Sequence, residues 1–233
     1  MSDENGSGDW FDTGMEGIDA ADKEYEERMG DDLRRFYLKS PTDPKLRGEW
    51  ESEKEIVFET DEPLCIWEHQ LFLDGNWFNW FTCRKAMQDG CEVCNGKDKP
   101  YYVGFYLVRD MTGYKNKKGQ MAGVGRRVLF PAKRKTLRQI QKFKERRGSL
   151  VGKKFFVSRS GDSSPNCGDT FDYVEDVDLN TLPDPGGDKP DLMKVFKPKT
   201  NEEIRLQLGR GPAPASGGGG GTAKPPADDD IPY

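Results

Sequence analysis

Four residues with metal-binding chemistry fall within one short stretch. His69, Cys83, Cys91 and Cys94 have the spacing His-x13-Cys-x7-Cys-x2-Cys, and His69 is the only histidine in the chain. Two cysteines separated by two residues close a tight turn and present both sulfurs to one cation. Two further ligands arriving from a neighbouring strand and turn complete a tetrahedron. Thiolates with one imidazole suit zinc in a closed, structural site. Cys65 leaves an alternative open, because positions 65, 67 and 69 share a face on a strand and Cys65 could replace His69. Otherwise Cys65 and Cys167 read as buried structural thiols. An odd count of five cysteines fits reduced thiols and metal better than a disulfide framework.

A second chemistry follows directly. Trp67, Phe72, Trp77, Phe78, Trp80, Phe81, Tyr101, Tyr102, Phe105 and Tyr106 crowd a region that is also basic. Unpaired nucleic acid is held by bases stacking on aromatic faces and by Lys and Arg tracking phosphates, each stacked base contributing roughly 1–3 kcal/mol. The stacking candidates are Trp77, Trp80, Tyr102 and Tyr106. Trp77 and Trp80 stand on different faces of a regular strand. Tyr102 and Tyr106 share one face, and their hydroxyls tolerate water. The phosphate candidates are Arg109, Lys115, Lys117, Lys118, Arg126, Arg127, Lys133, Arg134, Lys153 and Lys154. The competing reading puts about half of the strand aromatics in the core and leaves some of the cations as solubility charges.

The carboxyl end carries a third signal. Asp228, Asp229, Asp230, Ile231, Pro232 and Tyr233 form an acidic run closed by an apolar residue, a proline and an aromatic. They follow a linker over 209–227 made mostly of Gly, Ala and Pro. Such a linker buries little apolar surface and is expected to stay flexible, which suits a tip that recruits partner proteins.

The elements that must position these residues are mostly strands. Residues 1–20 read as a disordered acidic terminus. Residues 21–62 read as an acidic helical region, with a helix over 20–38 broken by Pro41 and Pro44. From about residue 63, strands are expected at 64–72, 77–81, 101–109, 126–130, 153–159 and 170–174. Asp74-Gly75-Asn76 marks a turn. After Pro131, Leu137, Ile140 and Phe143 recur among basic residues with Gly148 as a stop, an amphipathic helix. Thr200 or Asn201 caps a short helix ending near Leu208. With the hairpin 64–81 counted once and the cysteine-bearing part of the module at about 65–100 left out, the order is strand, strand, strand, helix, strand, strand. That is the order of the OB-fold, a five-stranded barrel, here spanning 63–208 with an inserted metal module.

The net charge of −5 hides a segregation. Residues 1–62 carry −12, residues 63–160 carry +14 from 21 Lys and Arg against 7 Asp and Glu, and residues 161–233 carry −7. A basic middle between acidic ends suggests a core that binds polyanions. No apolar run approaches the ~20 residues of a membrane span, and the acidic, Gly-rich start reads as neither signal nor transit peptide, so a cytoplasmic location is expected. Nucleobase deaminases pair His-x-Glu with Pro-Cys-x-x-Cys. Here Gln70 and Leu71 follow His69, and Gly90 precedes Cys91. Residues 119–127 lack the Gly-Lys-Ser/Thr ending of a phosphate-binding loop. A binding protein is expected rather than an enzyme.

The one-histidine, three-cysteine arrangement within this strand order resembles the T-even-type phage single-stranded DNA-binding proteins, where a zinc module is inserted in an OB-fold. The segment from Leu150 to Gly161 resembles a strand-and-turn motif of other phage proteins of that function. The final residues resemble the carboxyl terminus of bacterial single-stranded DNA-binding proteins, which ends Asp-Asp-Asp-Ile-Pro-Phe, with Tyr233 in place of the Phe. The resemblance covers roughly 63–175 plus the tip. It implies one structural Zn2+, sequence-independent coating of single-stranded DNA in phage replication, recombination or repair, and a host-cytoplasmic location. It also implies recruitment of replication or recombination proteins through the tip. The long acidic tail of that phage class is replaced here by a bacterial-type tip. The alternative is a zinc-containing regulator that binds RNA or duplex DNA.

Overall fold

A ten-residue strand rich in Tyr, Val and Phe organises the protein. The computed structural model describes residues 33–73, 76–96, 98–116 and 119–209, without the side chains of residues 50 and 76–78. In chain order the elements are β1 (Glu53–Phe58), β2 (Leu64–Leu73), β3 (Asn76–Thr82), α1 (Glu92–Asn95), β4 (Tyr101–Asp110), β5 (Tyr114–Lys115), β6 (Met121–Ala122), β7 (Arg126–Lys133), α2 (Arg134–Arg147), β8 (Lys153–Ser158), β9 (Thr170–Asp176), α3 (Leu192–Val195) and α4 (Asn201–Gln207). The protein is mainly β and its sheets are antiparallel.

β4 pairs along one whole edge with β7. Along its other edge it pairs twice, with β1 through its second half and with β2 through its first half. β1 and β2 are thus one run bent at residues 59–63. At the bend the Leu107 amide donates to the Thr60 hydroxyl at 3.1 Å, so the break leaves that donor satisfied. β8 adds to the far side of β1, and β9 to β8, giving the order β7-β4-β1-β8-β9 with α2 between β7 and β8 in sequence. The β2–β3 hairpin extends from the other end of β4.

Phe58, Tyr106, Phe130, Phe155 and Phe171 meet inside the curled sheet. Phe58 lies edge-on to both Tyr106 and Phe155. Phe130 of β7 and Phe171 of β9 approach to 5.9 Å between ring centroids. Among the described residues no ladder joins β7 to β9; side chains bridge them. Each such burial contributes about 1.5–3 kcal/mol.

Two segments differ from the sequence expectation. The described part of the expected 20–38 helix, residues 33–38, is extended. The Phe36 amide donates to the Leu129 carbonyl at 2.7 Å, the Leu129 amide donates to the Arg34 carbonyl at 2.8 Å, and the Leu38 amide donates to the Asn166 carbonyl at 2.7 Å. Phe36 and Leu38 both enter the core, a two-residue period that overrides the four-residue spacing upstream. β1 also lies in the stretch read as helical and acidic. Its charges are compensated: Lys54, itself buried, pairs with the Asp110 carboxylate at 2.6 Å. The sheet therefore begins ten residues before the expected boundary at 63.

After β9 the chain returns as a strap across the outside of β4 and β7. Arg109 donates to the Pro183 carbonyl at 2.9 Å, Arg127 to the Gly187 carbonyl at 2.8 Å, and Lys189 to the Glu59 carbonyl at 3.1 Å. Phe196 stacks on Phe105 with centroids 4.2 Å apart. The strap ends in α4, whose Thr200 and Glu203 form a capping box, as the Thr200 signal suggests. Among the described residues no helix is long and apolar enough to cross a membrane.

Candidate metal centre and aromatic saddle

The β2–β3 hairpin carries the metal cluster. His69 stands opposite Phe81 in register. Cys83 follows β3 directly, and its amide extends the ladder to the Trp67 carbonyl at 2.8 Å. Gly90, with φ +68, turns the chain into α1, where Cys91 is the N-cap and Cys94 lies one turn on. The four ligand atoms lie within 4.8 Å of one another. His69 Nε2 is 3.5 Å from the Cys91 sulfur and 3.4 Å from that of Cys94, and the Cys83 and Cys94 sulfurs are 3.6 Å apart.

These separations suit one small cation. A tetrahedron with metal–sulfur bonds of about 2.3 Å and a metal–nitrogen bond of about 2.0–2.1 Å has edges of about 3.5–3.8 Å. The protonation pattern agrees. The Cys83 hydrogen bond holds the Cys91 thiol far below the usual range. In turn Cys91 and burial push Cys83 up, and burial pushes Cys94 up. A divalent cation bound here would permit all three thiols to ionise. His69 and Cys91 are buried, and among the described residues His69 Nδ1 has no hydrogen-bond partner. The imidazole is thus held by packing and by what its Nε2 faces. Leu71, Phe81, Val93 and Ile204 enclose the cluster. The fourth member is His69, not Cys65. Cys65 is exposed rather than a buried thiol, while Cys167 is buried as expected.

On the same face of β2, between His69 and Cys65, stands Trp67. Its cross-strand partner is Tyr102, with ring centroids 5.4 Å apart. Tyr102 is 41% exposed. The Lys85 ammonium sits 3.0 Å from the centroid of the Trp67 ring. The Tyr102 hydroxyl meets the Cys65 thiol, which raises the phenol's pKa. Beyond Cys65, Leu137 of α2 packs over Gly104, where an added Cβ would lie 2.7 Å from the leucine Cδ2. Trp67 and Tyr102 therefore form the floor of a saddle, with the metal module at one end and α2 at the other.

The remaining sequence candidates divide by environment. Tyr106 is 2% exposed and belongs to the core, which corrects its placement in a groove. At this point of β4 both faces are covered, one by the core and one by the strap, whereas Tyr102 on the same face lies beyond the core. Arg109 is 5% exposed and pairs with Glu59, so it braces the strap rather than meeting phosphate. Arg127 shares Glu59 at 2.9 Å. Lys153 pairs with Asp176 at 2.6 Å, and Lys154 with Glu55 and Glu175 at 2.9 and 3.3 Å, on the far edge of the sheet. Trp80 is half-buried on the opposite face of the hairpin, with the Arg35 guanidinium 4.1 Å from its ring centroid. Arg35 is itself held by Glu68, which also accepts from the Tyr101 hydroxyl at 2.7 Å. Arg126 is half-buried beside the Tyr114 ring, and Lys133 is exposed over Tyr101. Lys115 and Arg134 are exposed. The side chain of Trp77, residues Lys117 and Lys118, and the tip Asp228 to Tyr233 lie outside what the structure describes.

Sequence reasoning counted Trp67 among the aromatics but did not select it, and it passed over Lys85. The signal was present in the period: residues 65, 67 and 69 share a face, which puts Trp67 on the side of the cluster. In comparisons with known proteins, neither a family model nor a curated protein matches this chain.

Proposed function

We propose that the protein binds single-stranded DNA without regard to sequence, coating displaced strands in phage replication, recombination or repair. The observation that carries the reading is the Trp67–Tyr102 pair, Tyr102 exposed and Trp67 half-buried, with the Lys85 ammonium over the Trp67 ring, in a chain whose residues 63–160 are strongly basic. An aromatic floor beside cations takes any base, since every base has a π-face. The strand order β7-β4-β1-β8-β9, with a helix between β7 and β8, supports an OB-fold with the metal module carried on the β2–β3 hairpin.

The three-sulfur, one-nitrogen donor set supports zinc in a structural role. When bound, zinc supplies the cross-link that locks His69, Cys83, Cys91 and Cys94 together. The side chains around it hold the hairpin and α1 in place beside Trp67. No enzymatic step is assigned to the cluster, because its four ligands would fill the coordination sphere of a structural zinc and leave no place for a water. The acidic tip Asp228 to Tyr233 is read as the recruiting end for replication or recombination proteins, acting in the host cytoplasm.

The test is a competition titration. Purified protein, assayed for metal, is mixed with a labelled mixed-sequence single strand and challenged with unlabelled single strand, duplex or RNA. Displacement by single-stranded DNA at the lowest competitor concentration is expected. Preferential displacement by duplex or RNA supports the regulator reading instead.

A further inference from the structure

Several cations near the sheet are compensated, whereas Arg134, Lys135, Arg138, Lys142 and Arg146 on α2 have no ion-pair partner among the described residues, and three of these five form a row. Arg134, Arg138 and Lys142 follow one another at four-residue steps, a row about 12 Å long at about 1.5 Å per residue. All three are exposed, and among the described residues none has an ion-pair or hydrogen-bond partner. By contrast Lys144, on the flank of the same helix, pairs with Glu62. A row of like charges at i,i+4 spacing costs helix stability unless something opposes it.

The row starts at the edge of the saddle. Leu137 precedes Arg138 and packs against Gly104, which the Cys65 sulfur also approaches. Gly104 shares a face with Tyr102, and Cys65 shares a face with Trp67. The other direction is closed, because the strap covers the outside of β4 and β7 through Phe196, Arg109 and Arg127. We propose that Arg134, Arg138 and Lys142 track the phosphates of the same single strand whose base rests on Trp67 and Tyr102. The strand leaves the saddle along α2, rather than crossing the outer face of β4 and β7. This rests on the single-strand reading above.

Full-length, metal-loaded protein and its R134A/R138A/K142A variant are titrated with labelled oligothymidylate, and with a duplex, across a range of salt. Alanine is the best helix former, so α2 is retained; metal content and thermal midpoint check this. Each phosphate contact on a single strand contributes about 0.7 to the slope of log affinity against log salt, so three lost contacts lower the slope by about two and the affinity at low salt by roughly tenfold or more. The single variant R138Q lowers the slope by about 0.7 and carries the test should the triple variant not fold. Trp67→Ala loses affinity with the slope kept. A triple variant with wild-type slope and affinity, beside a weakened Trp67→Ala, overturns the α2 path and leaves the single-strand reading standing. A loss confined to the duplex overturns it as well. Wild-type protein that ignores oligothymidylate removes the reading itself.

Discussion

Individual side chains make the sharpest demands. In the metal cluster, Cys91 is buried and lies within contact of His69 and the other two thiols. Cys91→Ser is expected to bring bound metal from one per chain to none. It should also lower the thermal midpoint by several degrees, because metal binding and folding of such a site are one free energy. Metal analysis beside a melting curve checks this. Arg109, first considered for phosphate, makes a structural prediction instead. Removing it leaves Glu59 buried with only Arg127, at a cost of roughly 3–5 kcal/mol, read by denaturant titration. Glu51 sets an acid limit. Burial pushes its carboxyl up, but the Arg47 amide and guanidinium and the Lys39 ammonium outweigh burial and hold it at about 2, below the ordinary 4.5. A depressed carboxyl stabilises the fold fully above pH 4.5 and loses that contribution as pH falls towards 2. Glu51→Gln is therefore less stable than wild type at pH 7, and the two converge near pH 2; denaturation across that window measures the gap. The cluster was legible in the sequence because ligand type and spacing are local. His69 is the ligand the spacing selects and the one the fold brings to the cluster; Cys65, on the same face, is excluded only by the fold.

Elements decide what those side chains can reach. α4 packs on the metal module itself: Ile204 is buried against Cys91 and Val93, Arg205 pairs with Glu92 at 2.9 Å, and Asn201 accepts from the Glu92 amide at 3.0 Å. Stripping the metal should therefore loosen the end of the strap before the sheet. Hydrogen exchange is expected to rise over 199–208 on adding a chelator, while β4 and β8 stay protected; equal loosening of both would contradict this coupling. Strands at 64–73, 101–110, 153–158 and 170–176 and the helix at 134–147 could be read from periodicity and from stops such as Gly148. β1 could not, because Glu53, Lys54 and Glu55 made a central strand look like a solvated one, and Lys54 finds its partner Asp110 only after folding. Tyr106 misled for the opposite reason. Where a strand is covered on both faces, as β4 is around Tyr106, there is no open side for alternation to reveal.

On the scale of the whole molecule, the two faces of the extended sheet have different tasks. One face is closed by the strap, with Glu59 neutralising Arg109 and Arg127. The other holds the saddle, with Tyr102 exposed beside a half-buried Trp67 and the row Arg134, Arg138 and Lys142 unopposed among the described residues. The +14 of residues 63–160 is thus an overestimate of what an anion meets, since Arg109, Arg127, Lys153 and Lys154 are neutralised within the fold. The sequence displayed the charge but not its compensation, which depends on partners far away in the chain. The central claim is that an unpaired strand lies with a base on Trp67 and Tyr102. Photocross-linking tests it most directly, using a single-stranded oligonucleotide carrying 5-iodouracil and mapping of the linked peptides. The account predicts cross-links at Trp67 or Tyr102, lost with Trp67→Ala and outcompeted by unlabelled single strand but not by duplex. Cross-links confined to the β8–β9 edge or to the strap would contradict it.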